Sequence, residues 1–196
     1  MSSKKKNNQS QSTRITDMMS RNAALFSGKY IEYVTPKKLY QQLDAEFHFV
    51  LDPCTTKDNP LNVPICFTKE DDGLSKEWNY CLVDNDGLRR QAVYVNPPYG
   101  KNIIDWVKKA YGQSGKHDIT IVMLLPARVD TRWFHDYIYN KPNVELRFIR
   151  GRLKFETSIQ HIPNTAPFPS LIVIFHPTRR KQLYKRNLHN GQVYRP

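Results

Sequence analysis

The 196-residue sequence lacks the features that mark membrane, secreted and metal-stabilised proteins. No apolar run approaches the ~20 residues of a membrane-spanning helix, and the N-terminal MSSKKKNNQSQSTR lacks the apolar centre of a signal peptide. We therefore expect neither membrane insertion nor secretion, and a cytoplasmic location. Cysteine is scarce: Cys54, Cys66 and Cys81 are separated by 11 and 14 residues, which matches no zinc pattern. We expect reduced thiols and no metal site.

Acidic residues are also scarce, with 18 Asp and Glu against 30 Lys and Arg, for a net charge of +12. Such an excess attracts a polyanion, and nucleic acid is the expected partner. The charge is concentrated near the ends, in Lys4-Lys5-Lys6 and in residues 179–186. The alternative is that these are solubilising tails. The length fits one domain, which we place at residues 23–178, between a disordered polar and basic tail (1–22) and a basic C-terminal tail (179–196).

No internal repeat is visible, and strand patterns alternate with helical ones. This order predicts an α/β fold with a mainly parallel sheet and antiparallel pairing near the C-terminus. Helices are predicted after Pro36, with Thr35 as the cap, from 101 to 111, and after Asp130 or Thr131. Strands are predicted at residues 47–51, 65–68, 79–84, 88–95, 119–125, 144–149 and 171–175, with a turn and strand at 150–155 and a hairpin turn at residues 85–87.

The segment VYVNPPYG, residues 93–100, carries the clearest chemical signal. Two consecutive prolines must end the predicted strand, because neither can donate to a ladder. The side-chain oxygen of Asn96 and the carbonyl of Pro97 can accept two N–H bonds from an exocyclic amine, while Tyr99 stacks on a planar base. The same residues also form an ordinary turn after a strand, so the surrounding sequence has to decide.

Several further blocks occur in a familiar order. They are TPKKL at 35–39, FVLDPC at 49–54, FTKEDDGL at 67–74, VNPPYG at 95–100, LLPARVDTRWFHDYI at 124–138, RFIRGRLKF at 147–155 and PFPSLIVIF at 167–175. In this order they resemble the phage-type Dam family of DNA N6-adenine methyltransferases. The resemblance covers nearly everything from residue 33 to residue 175, which makes it far more specific than NPPY alone.

The resemblance implies a single-domain, seven-stranded Rossmann-like methyltransferase core. It implies S-adenosylmethionine as the methyl donor and an adenine of double-stranded DNA, flipped out of the duplex, as the acceptor at its N6 amine. The catalytic motif is then Asn96, Pro97, Pro98 and Tyr99, acting by direct transfer with no metal and no covalent intermediate. We expect a monomer that acts in the host cytoplasm if phage-encoded.

The resemblance also implies a donor site on the earlier strands. Asp52, followed by Pro53 and Cys54, is expected to orient the methionine part of the donor, and Asn96 to adjoin it. The alternative for Asp52 is a turn-forming Asp-Pro. Related methyltransferases follow this acid with a glycine-rich loop, whereas the segment DPCTTKDN contains no glycine.

An acid after the second strand is expected to accept the ribose hydroxyls of the donor, as in dinucleotide-binding folds. The possible residues are Glu70, Asp71 and Asp72, of which Asp72 is favoured; the alternative is a solvated acidic turn. Thr35 and Pro36 resemble the segment that closes over the carboxylate of the donor.

DNA contacts are expected from basic residues after the later strands, namely Arg128, Arg132, Arg150, Arg152 and Lys154. For Arg128 the alternative is a salt bridge to Asp130 or Asp136. Phe155 could sandwich the flipped base opposite Tyr99, or it could be an ordinary core residue.

Two rival functions remain open from the sequence. The nearer is the same motif acting on RNA adenine or on the N4 amine of DNA cytosine. Enzymes that act on a protein glutamine are expected to carry a glycine-rich donor loop and an N-terminal helical module, neither of which fits this chain. The farther is a basic nucleic-acid-binding protein without catalysis. Target recognition would fall to loops such as residues 79–91 or 156–165, which also fit plain surface connections.

Overall fold

The computed structural model describes residues 33–155, 165–177 and 193–194 of the chain. The predicted N-terminal tail, most of the predicted basic C-terminal tail and most of the 156–165 loop lie outside these ranges. The described helices are α1 (Lys37–Phe47), α2 (Ile103–His117) and α3 (Arg132–Tyr137). The strands, in chain order, are β1 (Phe49–Asp52), β2 (Ile65–Cys66), β3 (Leu82–Val83), β4 (Arg89–Arg90), β5 (Ala92–Val95), β6 (Ile121–Pro126), β7 (Val144–Ile149), β8 (Ser170–Phe175) and β9 (Val193–Tyr194).

Seven of these strands form one sheet, in the order β2-β1-β5-β6-β8-β7-β9, and β3 with β4 forms a separate hairpin. The pairs β2–β1, β1–β5 and β5–β6 are parallel. Strand β8 is antiparallel to both β6 and β7, and β9 is parallel to β7. The prediction of a mainly parallel α/β sheet with antiparallel pairing near the C-terminus is confirmed. The seventh strand, β9, comes from the segment assigned to the C-terminal tail.

Both faces of the central sheet are covered, which explains why its strands are almost entirely apolar. On one face, Trp106, Val107 and Ala110 of α2 and Trp133 and Phe134 of α3 pack against alternate residues of β5, β6 and β8. On the other face, α1 packs its residues Leu39, Tyr40 and Leu43 against the intervening side chains. The result is a three-layer arrangement that holds the ends of the parallel strands in place.

The structure departs from the predictions at several element boundaries. Pro36, not Thr35, is the residue before the first turn of α1, because the Thr35 hydroxyl is engaged elsewhere, 2.7 Å from the hydroxyl of Tyr94. Phe47 ends α1 and does not start β1. The predicted 79–95 hairpin is present, but each of its paired strands has only two residues. In the described part of the chain, no helix is long and apolar enough to cross a membrane.

Candidate active site

The predicted site residues follow the carboxyl ends of strands that run in the same direction. Asp52 ends β1, Asn96 follows β5, and Arg128 and Arg150 follow β6 and β7. Strands β1 and β5 are neighbours in the sheet although the chain leaves β1 toward β2, so the strand order reverses between them. Ligands in open α/β sheets bind outside the carboxyl ends at such a reversal. Asp52 and Asn96 flank this point.

The side chain of Asn96 is oriented by one hydrogen bond. Its Nδ2 donates to the backbone carbonyl of Tyr33 at 2.6 Å. Its Oδ1 is buried and has no hydrogen-bond partner within the described residues. A buried acceptor without a partner costs about 1–3 kcal/mol, so such an atom in a native fold calls for an explanation. A ligand N–H group that donates to Asn96 Oδ1 would supply one.

The two prolines after Asn96 keep the backbone from continuing β5. Pro97 is buried and Pro98 is exposed. No backbone N–H of the described segments donates to the carbonyl oxygen of Pro97. The residue after Asn96 therefore carries a second acceptor to which no residue of the described ranges donates.

Tyr99 is surrounded by aromatic rings. Its hydroxyl donates to the carbonyl of Leu124 at 3.3 Å, and burial raises the pKa of that hydroxyl well above its usual value. The ring of Tyr33 is stacked on it, with centroids 5.7 Å apart. Phe155 and Phe168 meet it edge-on, at interplanar angles of 79° and 71°. Phe155 is fully buried and its ring is not parallel to Tyr99, so its core role is the one this geometry supports.

Asp52 is 4% exposed, and its Oδ1 accepts a bond from the backbone N–H of Cys54 at 3.0 Å. Burial raises the pKa of Asp52 to about 7, although the Cys54 hydrogen bond opposes the rise. Burial also raises the pKa of the Cys54 thiol, and the neighbouring carboxylate of Asp52 adds to the rise. A carboxyl group poised in this way is stabilised in its charged form by a nearby cation.

The three acids after β2 differ in what they contact. Glu70 forms an exposed ion pair with Lys57 at 3.2 Å. Asp71 accepts bonds from the backbone N–H and the hydroxyl of Thr68, each at 2.8 Å. Asp72 is exposed, with a φ of 50°, and its carboxylate makes no hydrogen bond or ion pair inside the described ranges. Of the three, Asp72 is the one whose carboxylate has no partner among the described residues.

Two residues without a predicted role, Gly73 and Trp78, hold this acidic loop against the loop after β1. A Cβ atom on Gly73 would lie 1.9 Å from the carbonyl oxygen of Pro53, so only glycine fits there. The carbonyl of Gly73 accepts a bond at 2.9 Å from the indole N–H of Trp78, which is fully buried. A glycine directly after the acidic cluster was the available signal. The partner loop could not be read from the sequence.

Thr35 and Pro36 lie directly before helix α1, whereas Asp52 and Asp72 lie at or after the ends of strands. Thr35 is 1% exposed and its hydroxyl is paired with Tyr94. It therefore holds the segment 33–36 to β5. The link brings the Tyr33 carbonyl to Asn96, and a direct contact of the Thr35 hydroxyl with a donor carboxylate stays a prediction.

The predicted DNA-contacting cations line the same edge of the sheet. All five are exposed, and none forms an ion pair within the described residues: Arg128, Arg132, Arg150, Arg152 and Lys154. The alternative of a salt bridge from Arg128 to Asp130 or Asp136 is thus not observed. We call these five residues the basic rim. Their charges remain available to a polyanion.

No group of three or more His, Cys, Asp or Glu residues in the described part of the chain is arranged to hold a metal ion.

The chain is similar to known methyltransferases. The family model described as DNA N-6-adenine-methyltransferase (Dam) matches residues 30–192. A protein named DNA N-6-adenine-methyltransferase from Haemophilus phage HP1 is 28% identical over 152 residues, which cover 74% of this chain and 78% of the phage protein. The match to the family model spans β1 to β8 and every candidate site residue. The chain belongs to the Dam family of DNA N-6-adenine-methyltransferases and is an adenine-specific DNA methyltransferase.

Proposed function

We propose that the protein transfers a methyl group from S-adenosylmethionine to the N6 amine of an adenine that is flipped out of duplex DNA and received at the NPPY segment. The observation that carries this proposal is the buried, unpaired Oδ1 of Asn96. The exocyclic amine of adenine has two N–H groups. Asn96 Oδ1 and the Pro97 carbonyl are two adjacent acceptors to which no described residue donates.

The acceptor residues favour reaction by holding the amine. The nitrogen lone pair of adenine is delocalised into the ring, which makes the amine a poor nucleophile. Two hydrogen bonds accepted at Asn96 and Pro97 favour a pyramidal nitrogen, whose lone pair is then available. The ring of Tyr99 provides a stacking surface for the base. Positioning of this kind accounts for a large part of the rate enhancement in many enzymes.

The donor half of the site fits S-adenosylmethionine. When bound, this cofactor supplies an electrophilic methyl group carried on a positively charged sulfur. Asp52 offers a buried carboxyl group suited to a neighbouring positive charge, and Asp72 offers an unpaired carboxylate for the two ribose hydroxyls. Pro53 and Cys54 begin the loop that follows Asp52. Gly73 holds this loop and the acidic loop in contact.

The basic rim is proposed to bind the phosphates of the duplex. Its residues follow β6 and β7 on the edge of the sheet that carries Asn96. Extruding a base costs a few kcal/mol, and phosphate contacts together with stacking on Tyr99 offset that cost.

The test is a methylation assay with labelled S-adenosylmethionine and duplex DNA, followed by digestion to nucleosides. Label in N6-methyldeoxyadenosine is expected from the wild type. It should be lost in Asn96→Ala and severely reduced in Tyr99→Ala, with both variants folded by circular dichroism. Wild-type turnover in Asn96→Ala would disprove the assignment of the site. Preferential labelling of RNA, or of N4-methylcytosine, would replace the proposed substrate.

A further inference from the structure

Among the described rings that contact Tyr99, the ring of Tyr33 is the closest to parallel with it. The two planes are inclined by 28°, with centroids 5.7 Å apart, whereas Phe155 and Phe168 present their edges. Stacked aromatic pairs have this offset, near-parallel geometry. A purine stacked on the same face of Tyr99 would need the space that the ring of Tyr33 fills.

The ring of Tyr33 is held by apolar contacts. It lies 5.0 Å from Phe155 and 5.7 Å from Phe168, centroid to centroid. Partial burial raises the pKa of its hydroxyl, and that hydroxyl makes no hydrogen bond within the described residues. Aromatic contacts of this kind contribute about 0.5–1.5 kcal/mol each beyond their buried area. The side chain can therefore rotate away without breaking a polar contact.

The backbone of Tyr33 has a separate role at the same place. Its carbonyl accepts a hydrogen bond from Nδ2 of Asn96 at 2.6 Å. This bond orients the amide so that Oδ1 lies where no described residue donates to it. Because Thr35 is fastened to Tyr94, the carbonyl keeps its place when the Tyr33 side chain moves. One residue thus both orients the amine acceptor and covers the stacking face.

We propose that Tyr33 is a further positioning residue of the adenine site: its ring occupies the stacking place of the adenine on Tyr99 in the free protein and swings aside when the base enters. The proposal rests on the proposed function of Asn96 and Tyr99. The base competes with an internal ring, so its apparent affinity is the intrinsic affinity reduced by the fraction of molecules in which Tyr99 is uncovered.

The first test measures base entry with Tyr33→Ala and the matched variant Tyr33→Phe. The probe is a duplex that the enzyme methylates, with 2-aminopurine at the methylated position and S-adenosylhomocysteine present. Tyr33→Phe keeps the ring and should bind the probe as the wild type does. Tyr33→Ala removes the competing ring and should bind the probe more tightly by at least about 2- to 10-fold, the factor that the stacking contact with Tyr99 alone represents. Equal or weaker binding by a folded Tyr33→Ala would overturn the proposal.

The second test uses the unaltered chain labelled with 3-fluorotyrosine, so that it does not depend on the fold of a variant. The ¹⁹F resonance of Tyr33 is assigned by its absence in Tyr33→Phe. On adding the duplex it should move to a solvent-like position, because the ring leaves its aromatic neighbours. A Tyr33 resonance that stays in place while that of Tyr99 shifts would overturn the proposal.

The variant Tyr99→Ala separates the two hypotheses. If 2-aminopurine emission on binding does not depend on Tyr99, the base is not received there and the proposed function fails. If emission does depend on Tyr99 but Tyr33→Ala gives no gain in affinity, only the role of Tyr33 fails.

Discussion

Gly73 touches the backbone of Pro53 so closely that a Cβ atom at position 73 would lie 1.9 Å from the Pro53 carbonyl oxygen. This contact joins the loop after β1 to the loop after β2. The segment DPCTTKDN has no glycine of its own. The close approach of backbones that a glycine permits is instead provided by the acidic loop, next to Asp72.

Gly73→Ala should therefore separate the two loops that we propose hold the donor. Overpacking of a tightly packed site costs about 1–3 kcal/mol of folding free energy. We expect urea denaturation to show a decrease in the free energy of unfolding within this range. We also expect at least a tenfold weaker affinity for S-adenosylmethionine by calorimetry, since Asp52 and Asp72 no longer keep their spacing.

The matched control is Gly112→Ala in α2. A Cβ atom there meets nothing within 4 Å, and alanine is favoured over glycine in a helix by about 0.5–1 kcal/mol. Gly112→Ala should be as stable as the wild type or more so, with unchanged donor affinity. Equal behaviour of the two alanine variants would contradict the role given to Gly73.

The fold and the centre of the site could be predicted from local patterns. Apolar runs such as residues 121–125 mark strands covered on both faces, and Pro97-Pro98 cannot continue a strand because neither residue donates to a ladder. Acids and prolines at strand ends therefore predict that Asp52, Asp72 and Asn96 lie at the carboxyl edge of the sheet. These signals depend only on residues that are close together in the sequence.

The parts that could not be predicted depend on contacts between distant segments. Tyr33 and Asn96 are 63 positions apart, and nothing near Tyr33 indicates that its carbonyl orients an amide. Thr35 fits a helix cap by type, but a buried partner on β5, Tyr94, takes its hydroxyl. Hydrogen bonds between distant segments override the local preference of a residue for a cap or turn. A single sequence does not show which distant residues will pair.

The three acids after β2 make a direct comparison possible. Asp72→Ala should weaken S-adenosylmethionine binding by about tenfold or more, because hydrogen bonds to a charged acceptor contribute about 1.5–3 kcal/mol each. Asp71→Ala and Glu70→Ala should have smaller effects, since those carboxylates already contact Thr68 and Lys57. Calorimetry on the three variants compares their affinities for S-adenosylmethionine. A larger loss of affinity in Asp71→Ala than in Asp72→Ala would assign the ribose contact to Asp71.

Proton release should accompany donor binding because of Asp52. Its pKa is about 7 in the folded protein and about 3.9 in an unfolded chain, so the folded form holds a proton between these values. The stability that Asp52 contributes is therefore full below about pH 4 and is lost as the pH rises through 7. A bound cation favours the carboxylate and expels the proton.

Calorimetry at about pH 6 in two buffers of different ionisation enthalpy should detect up to about one proton released per donor bound. The release should vanish at about pH 8.5, where Asp52 is already charged, and in Asp52→Asn at either pH. Release of the same size in Asp52→Asn would assign the proton to another group.

Asn96→Asp tests the hydrogen bond to Tyr33. A carboxylate keeps the acceptor for the amine but cannot donate to the Tyr33 carbonyl, which lies 2.6 Å from Nδ2 in the native site. Two facing acceptors repel, so turnover should fall about 10- to 100-fold at pH 8, in line with the 1–3 kcal/mol cost of an unmade buried bond. Protonation restores a donor, so the ratio of variant to wild-type turnover should rise as the pH falls. A flat ratio would contradict the orienting role of the carbonyl.

The basic rim predicts how DNA affinity depends on salt. Each phosphate contact that is lost should lower the slope of log K against log salt concentration by about 0.9 for duplex DNA. We expect each of three variants, Arg150→Gln, Arg152→Gln and Lys154→Gln, to reduce the slope by about that amount. Each should also weaken binding to duplexes of unrelated sequence equally, because phosphates carry no sequence information. Lys116→Gln on α2 is the control, because the Lys116 ammonium already pairs with Glu77 at 3.0 Å. A slope change in Lys116→Gln equal to that of the rim variants would place the duplex elsewhere on the surface.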